Sequence, residues 1–232
     1  MDIADVIAQI EEELTWREDE LRFLRNQLSN MTDEEDKMRY RKSLVVMLYS
    51  YYEGFCKASF QIYINTINQS FLARNLVNDY ISTASMNEVF LTYHNESKKS
   101  PHFNKELPDD SKLHRYSRQV DFIQALENIW EEIVTIPENI VDTESNLKPV
   151  VLRKILYRLG FQYDCFKQYE GQINLLLERR NSVAHGAMKE GFTKEKYDTI
   201  ERAALDIMTE LKKLIVDALI YRNYLKHSDQ CS

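Results

Sequence analysis

The chain has few of the residues that interrupt regular structure. Five glycines and four prolines occur among its 232 residues, whereas a sandwich or barrel of β-strands needs many tight turns that these residues build. No stretch rich in glycine and proline divides the chain, and its length is sufficient for one apolar core. The composition therefore predicts an all-α fold in which residues 1–232 form a single domain.

Cysteines and long apolar segments are also scarce. Cys56, Cys165 and Cys231 are far apart and form no CxxC pair, so neither a disulfide framework nor a zinc site is expected. No apolar run approaches the ~20 residues that span a bilayer, and the N-terminal segment is acidic where a signal peptide is basic and then apolar. We therefore expect a cytoplasmic protein that has no membrane contact and needs no metal or other cofactor.

The chain lacks an excess of positive charge as well. It carries 37 acidic and 30 basic residues, which gives a net charge of −7. A protein that coats nucleic acid without sequence preference needs many lysines and arginines to displace counterions from the phosphates. That mode of binding is disfavoured, whereas a small basic cleft remains compatible with the composition.

Apolar residues recur at intervals of three or four along most of the chain, which is typical of amphipathic helices. The second predicted helix is the longest and most apolar, so we expect it at the centre of a bundle. Local signals predict helix ends: a Thr32–Glu35 capping box, Asn146 as a cap and Gly186 as a stop. The predicted helices cover about residues 2–28, 32–68, 117–136, 146–160, 165–186 and 193–224, with one or two short helices between 70 and 98.

Two of these helices carry notable groups of large side chains. Tyr49, Tyr51 and Tyr52 lie on the longest helix, where such residues belong to a core or a dimer interface more often than they stack on bases. The helix 117–136 is predicted from apolar residues at helical spacing. These residues are Val120, Ile123, Leu126, Ile129, Trp130 and Ile133.

A polar segment of about residues 97–118 separates the two halves of the chain. It contains two prolines together with His102 and His114, and it is predicted to be a mobile loop. These histidines and His94 are too scattered for a metal site, so we expect them to be solvated.

The segment RRNSVAHG, residues 179–186, combines an Arg180-Asn181 pair with His185 near a predicted helix end. Composition alone predicts about 0.02 occurrences of an Arg-Asn pair followed by a histidine at this spacing. The chain nevertheless contains the pattern a second time, at Arg222–His227. We expect the second copy to lie where the chain frays, which would position catalytic groups poorly, and we assign it to chance.

Arginine and histidine in this arrangement suit the cleavage of a phosphodiester. Histidine can take up and release protons near neutral pH, and arginine grips two phosphate oxygens at once. RNA supplies its own nucleophile, the 2′-hydroxyl, so no metal is required. Because helical residues turn by ~100° each, Arg180 points about 140° away from His185, and the pair therefore predicts half of a two-fold dimeric site.

Three blocks of the sequence resemble the HEPN superfamily of all-helical ribonuclease toxins and defence proteins, and more narrowly its MAE-type nuclease branch. The first is the motif Arg180–His185. The second is LVVMLYSYYEGFCKASFQIYI, residues 44–64, with its Glu-Gly-Phe and lysine. The third is VDTESNLKPVVLRKILYRLGF, residues 141–161, with a Ser-Asn connector before a helix.

This resemblance implies a helical bundle with long central helices that homodimerises through the motif helices and cleaves tRNA or mRNA without metal. Arg180 would be the phosphate clamp and His185 the acid and base. Asn181 would orient the histidine or contact RNA, and Glu53 would complete the pocket. Arg179 and Lys57 would support RNA binding. A role as a toxin or antiphage effector implies an antitoxin or a defence-system protein as a further partner.

Other interpretations of the same residues remain open. Arg179 and Arg180 are favoured near a helix C-terminus by the helix dipole alone, and Glu53 can be a surface carboxylate paired with Lys57. HEPN members controlled by AMPylation carry a tyrosine two residues after the histidine, where this chain has Ala187. The alternative function is a catalytically silent HEPN-like module that dimerises and binds a partner protein or a nucleotide.

Overall fold

Eight α-helices form the part of the chain that the computed structural model describes, namely residues 2–97, 99–101, 103, 110–187 and 189–226. No strand occurs within these residues, so the predicted all-α fold is confirmed. The helices are α1 (Ile3–Asn30), α2 (Glu34–Asn68), α3 (Asp79–Ser85), α4 (Asn87–His94), α5 (Ser111–Glu131), α6 (Pro149–Arg158), α7 (Glu170–Ala184) and α8 (Lys194–Ile220). Short 3-10 turns lie at Arg74–Leu76, Glu138–Val141 and Lys167–Tyr169.

Helix α2 lies at the centre of the bundle, as its length and apolar character predict. It packs against α1, α7 and α8, and its side chains Leu48, Phe55, Phe60 and Ile64 are fully buried. Burial of each such side chain contributes roughly 1.5–3 kcal/mol to folding. Because α7 rests on this rigid central helix, side chains at the end of α7 have a fixed surface to contact.

Helices α4 and α5, which we call the helical arm, lie outside the main core. One cluster of buried apolar side chains joins α1, α2, α3, α6, α7 and α8, and no described residue of α4 or α5 belongs to it. The arm is connected through contacts of α5 with the Arg74–Leu76 turn and of α4 with α3. The core and the arm therefore bury their apolar residues separately.

The predicted loop at 97–118 is shorter than expected. Helix α5 begins at Ser111, where Asp110 caps it by accepting a hydrogen bond from the backbone N–H of Leu113 (2.8 Å). Residues 98, 102 and 104–109 of the predicted loop lie outside the described residues. His114 is buried, not solvated, because the backbone N–H of Ser100 donates to its Nδ1 (3.1 Å).

The apolar residues that predict helix 117–136 do not form one buried face of α5. Ile129 is buried, but Val120, Ile123 and Trp130 are 38, 66 and 37 % exposed, and Ile133 follows the end of the helix. The physical reason is that α5 packs on α4 and on the Arg74–Leu76 turn, so the bundle does not cover its second apolar side.

Two predicted helix caps are displaced. Asp33, not Thr32, caps α2 by accepting from the backbone N–H of Asp36 (2.9 Å), because its carboxylate directly precedes the first helical residue. Lys148, not Asn146, is the residue before α6, whose first residue is Pro149. Proline is favoured at that position, and Asn146 lies two residues too early to cap.

None of the described helices combines the length and the apolar character that crossing a membrane requires.

Candidate active site

Gly186 stops helix α7 (Glu170–Ala184), as the sequence predicts. This glycine has φ = +68°, and its N–H donates to the carbonyl of Val183 (3.0 Å) while that of Ala187 donates to Ser182 (2.9 Å). These two bonds form a Schellman motif, in which glycine is preferred because side chains disfavour positive φ. The motif fixes the end of the helix and therefore the backbone of His185.

The guanidinium of Arg180 is held by residues from two other parts of the chain. Its Cζ lies 4.2 Å from the centroid of the Tyr49 ring on α2. Its Nη2 donates a hydrogen bond to Oδ1 of Asn146 in the connector before α6. The Tyr49 hydroxyl in turn accepts from the backbone N–H of Leu147 (2.8 Å). We call Tyr49, Asn146 and Leu147 the arginine cradle.

The electrostatics of the cradle keep Tyr49 neutral. Burial raises the pKa of its phenol, the negative charge of Glu53 raises it further, and the nearby Arg180 opposes both effects. A neutral ring presents its negative face to the guanidinium, and such cation-π contacts are worth ~0.5–2 kcal/mol. Nε of Arg180 is buried and has no hydrogen-bond partner among the described residues. The cradle therefore fixes the guanidinium through its ring contact and through Nη2.

Glu53 and Lys57 do not form the ion pair that was one interpretation of their spacing. Glu53 is half-buried, and Lys57 is exposed. Within the described part of the chain, no oxygen of Glu53 lies within 4 Å of the Lys57 ammonium. Glu53 follows Tyr49 by four residues on α2 and influences its pKa, which places its charge beside the cradle.

The glycine of the Glu-Gly-Phe block has a packing role. A Cβ at Gly54 would lie 3.2 Å from Nη2 of Arg17, whose buried guanidinium crosses α2 from α1. Arg17 also donates to the backbone carbonyl and the carboxylate of Glu13 (both 2.5 Å), and Phe55 is fully buried. Gly54 therefore permits the close approach of α1 to the part of α2 that carries Tyr49.

The remaining predicted residues lie around the end of α7. Arg179 faces away from the cradle, with its Cζ 6.0 Å from the Phe192 ring and its Nη1 3.9 Å from Glu178. Asn181 is half-buried, and its backbone carbonyl accepts from the N–H of His185 (2.9 Å). His185 itself is exposed. One protomer thus brings Arg180 to Tyr49 and Asn146 but leaves the His185 side chain in solvent.

The segment after the motif returns to the start of α2. The N–H of Phe192 donates to the carbonyl of Met38 (3.1 Å), and Nη1 of Arg41 donates to the carbonyl of Phe192 (3.2 Å). A Cβ at Gly191 would lie 2.4 Å from the Met38 backbone, so only glycine allows this contact. Gly191 and Phe192 are therefore anchored on the first turns of α2, and residue 188 before them lies outside the described residues.

The second copy of the motif has a different structure. Arg222 follows the last residue of α8 and has φ = +51°. Tyr224 accepts from the N–H of Asn78 (2.9 Å), and the N–H of Lys226 donates to Leu76 (2.9 Å). The expected fraying is therefore wrong for residues 222–226. His227 lies outside the described residues.

Sequence reasoning missed the contacts of Tyr49 and Asn146 with Arg180. It assigned Tyr49 to a core or interface, and the side chain is indeed 2 % exposed. It assigned Asn146 to a helix cap. The available signal was the Ser-Asn connector itself, because it formed one of three blocks that resembled the same superfamily as the motif.

The comparison with protein families gives a match over most of the chain. The model of the family described as RiboL-PSP-HEPN matches residues 12–217. The chain belongs to this HEPN family. Searches among curated proteins and among solved structures found no match.

The matched region of this HEPN chain contains the first copy of the motif but not the second. It includes the cradle, Arg180 and His185, and it ends before Arg222. HEPN domains are frequently ribonucleases, so the membership supports a function related to RNA or to nuclease chemistry. The description of the family does not itself name an activity.

Proposed function

We propose that this HEPN chain is an endoribonuclease that cleaves RNA without a metal ion. The observation that best supports the proposal is the fixed position of the Arg180 guanidinium, held by Tyr49 and Asn146 near the end of the helix that also carries His185. A charge that is positioned before the substrate arrives stabilises a transition state without reorganisation during the reaction. The finer assignment to the MAE-type branch is part of this proposal.

In the proposed mechanism, Arg180 binds the scissile phosphate. A guanidinium has five N–H groups. One is donated to Asn146, and the Nε–H is buried, so three remain for phosphate oxygens. Tyr49 and Asn146 act as positioning residues, because they contact the arginine and not the reacting atoms.

The chemistry then follows from the 2′-hydroxyl of RNA. His185 takes the proton of this hydroxyl, the oxygen attacks the adjacent phosphorus, and the bond to the 5′-oxygen breaks. The leaving 5′-oxygen receives a proton from an imidazolium. The products are a cyclic phosphate and a 5′-hydroxyl, and no cofactor takes part.

The proposed site is shared by two copies of the chain. Arg180 faces α2, whereas His185 is exposed at the helix end, so a second copy related by a two-fold axis would bring its His185 to the first copy's Arg180. The biological role that we propose is that of a toxin or antiphage effector acting on tRNA or mRNA and restrained by an antitoxin or a defence-system protein. Its support is the HEPN membership.

Incubation of the purified protein with tRNA and total RNA in EDTA tests the activity. The expected result is RNA with cyclic phosphate and 5′-hydroxyl ends. Wild-type protein that is dimeric yet leaves both RNA samples intact would contradict the proposal.

Mixing two inactive variants tests whether the site is shared. A dimer of one Arg180→Ala copy and one His185→Ala copy contains one site with both residues intact. Random exchange makes half of the dimers mixed, so about a quarter of the wild-type activity should return. Exchange of subunits without recovery of cleavage would place Arg180 and His185 of each site on the same copy.

The second candidate function is a catalytically silent module that binds a partner protein or a nucleotide. The exposed position of His185, away from the arginine cradle, favours it. Binding of RNA or nucleotide that Arg180→Ala abolishes, without cleavage by the wild-type protein, would support this alternative.

A further inference from the structure

Helix α5 has two apolar sides, and the fold covers only one of them. Phe122, Ala125 and Ile129 line a groove of about 320 Å³ between α5 and α4, together with Val89 and Tyr93 of α4. These α5 residues recur at intervals of three and four, so they lie on one side of the helix. Their packing on α4 holds the helical arm together.

The other side consists of Tyr116, Val120, Ile123 and Trp130, which we call the α5 stripe. Their side chains are 64, 38, 66 and 37 % exposed. The spacings of four, three and seven residues are those of the a and d positions of a coiled coil, and Glu127 occupies the position between Ile123 and Trp130. The stripe therefore has the pattern of a surface that packs against another helix.

The exposed apolar side chains of the α5 stripe indicate that it binds a partner. Soluble monomers rarely expose large contiguous apolar patches. Leu91 of α4, which is 57 % exposed, adds a further apolar side chain to the arm. A helix of 21 residues is about 30 Å long, which is long enough for a helix-helix contact of several layers.

The charges on α5 indicate which partner fits. Its first part carries Lys112, Arg115 and Arg118 and no acidic residue, whereas residues 121–131 carry three acidic residues and no basic one. A second α5 running parallel would place like charges together, whereas one running antiparallel would place the basic part of each copy against the acidic part of the other.

We propose that the α5 stripe binds the α5 stripe of a second copy of this chain in antiparallel orientation. Such a contact is isologous, because the same patch is used on both copies. It buries Val120 and Ile123 near the two-fold axis, and it pairs the Arg115 region of one copy with the Glu131 region of the other.

This contact is independent of the proposed ribonuclease site. Helix α7 packs on α2, α6 and α8, whereas α5 packs on α4 and on the Arg74–Leu76 turn. The two faces therefore belong to different parts of the molecule. If both are used, the assembly is larger than a dimer, and loss of the α5 contact lowers its mass without removing Arg180 or His185.

Sedimentation velocity on the full chain tests the contact. Ile123→Glu places a charge at the centre of the stripe and should halve the sedimenting mass. The matched control is Phe23→Glu, because Phe23 is 58 % exposed on α1, and its variant should keep the wild-type mass. A monomeric wild-type protein, or an unchanged mass for Ile123→Glu with wild-type helicity, would overturn the proposal.

Charge reversal tests the antiparallel orientation. One variant combines Lys112→Glu with Arg115→Glu, and the other combines Glu127→Lys with Glu131→Lys. Each alone should associate more weakly than the wild type, since it opposes like charges. An equimolar mixture should associate again, because opposite charges then face each other at both ends. Single variants that associate as strongly as the wild type would overturn the antiparallel pairing, and a mixture that associates no better than its components would overturn the contact between the charged ends.

Discussion

The two copies of the Arg-Asn-x-x-x-His pattern share their spacing but not their structure. Arg180 lies inside α7, and every residue from it to Ala184 is helical. Arg222 lies after the end of α8, in a left-handed conformation within a turn. The first arginine contacts an aromatic ring and an amide oxygen. The second follows a helix end, and Tyr224 and Lys226 after it are bound to Asn78 and Leu76.

A sequence spacing therefore specifies geometry only where the backbone between the residues is regular. Five helical residues rotate a side chain by a fixed angle, whereas five residues that cross a turn do not. Position in the fold adds the second distinction. Arg180 faces the central helix α2, which holds Tyr49 in place, and it lies within the region that the family model matches, whereas Arg222 lies outside it.

Substitution of each arginine in turn tests whether only the first copy of the motif acts in cleavage. Loss of a positioned charge that stabilises a phosphoryl transition state costs on the order of 1000-fold in rate. We expect Arg180→Ala to lower RNA cleavage by about that factor and Arg222→Ala to leave it unchanged, as measured by initial rates on one tRNA. Equal losses would mean that both copies act in cleavage.

Substitution of Asn146 should have the next largest effect on the rate of RNA cleavage. Without its Oδ1, the guanidinium keeps only the ring contact, and a displacement of about 1 Å can cost up to 100-fold in rate. We expect Asn146→Ala to lower kcat by about 10- to 100-fold and to change KM less, while the protein stays folded and keeps its oligomeric state.

Asn174→Ala is the control for Asn146, because Asn174 is exposed on α7. Its rate should be that of the wild type. If Asn146→Ala cleaves as fast as this control, the hydrogen bond to Arg180 has no role in catalysis, even though the family assignment stands.

The Tyr49→Phe variant distinguishes the contribution of the Tyr49 hydroxyl to stability from the contact of the Tyr49 ring with Arg180. The ring remains, so the cation-π contact is retained. The N–H of Leu147 loses its acceptor in a buried site, which costs ~1–3 kcal/mol in the free energy of unfolding. Urea unfolding should show that loss, and cleavage per folded molecule should equal that of the wild type. A stable variant with weak cleavage would show that the hydroxyl acts directly.

The sequence predicts features that depend on neighbouring residues more successfully than features that depend on distant ones. Gly186 was identified as a helix stop because a Schellman motif is local. The central position of α2 followed from its own length and composition. Periodicity predicted the α5 helix, because it shows which residues share a helix face, but it does not show whether another helix covers that face.

The arginine cradle illustrates the same limit at the candidate site. Tyr49 and Asn146 are separated from Arg180 by 131 and 34 residues in the sequence, so no periodicity relates them. Asn146 also matched a local role as a helix cap, and that local interpretation was wrong. Only the packing of α7 on α2, with the connector before α6 beside them, brings the three side chains together.

Substitutions at the two helix ends should change the free energy of unfolding by the smallest amounts. Gly186 and Arg222 both have positive φ, a conformation that costs a residue with a side chain about 1 kcal/mol. Gly186→Ala should therefore lower the free energy of unfolding by about that amount. Arg222→Gly removes the penalty but adds freedom to the unfolded chain, so its net gain is smaller, roughly 0.5 kcal/mol. Urea unfolding measures the free energy of unfolding of both variants. If the two free energies change in the same direction, the backbone strain at Gly186 and at Arg222 is not equivalent.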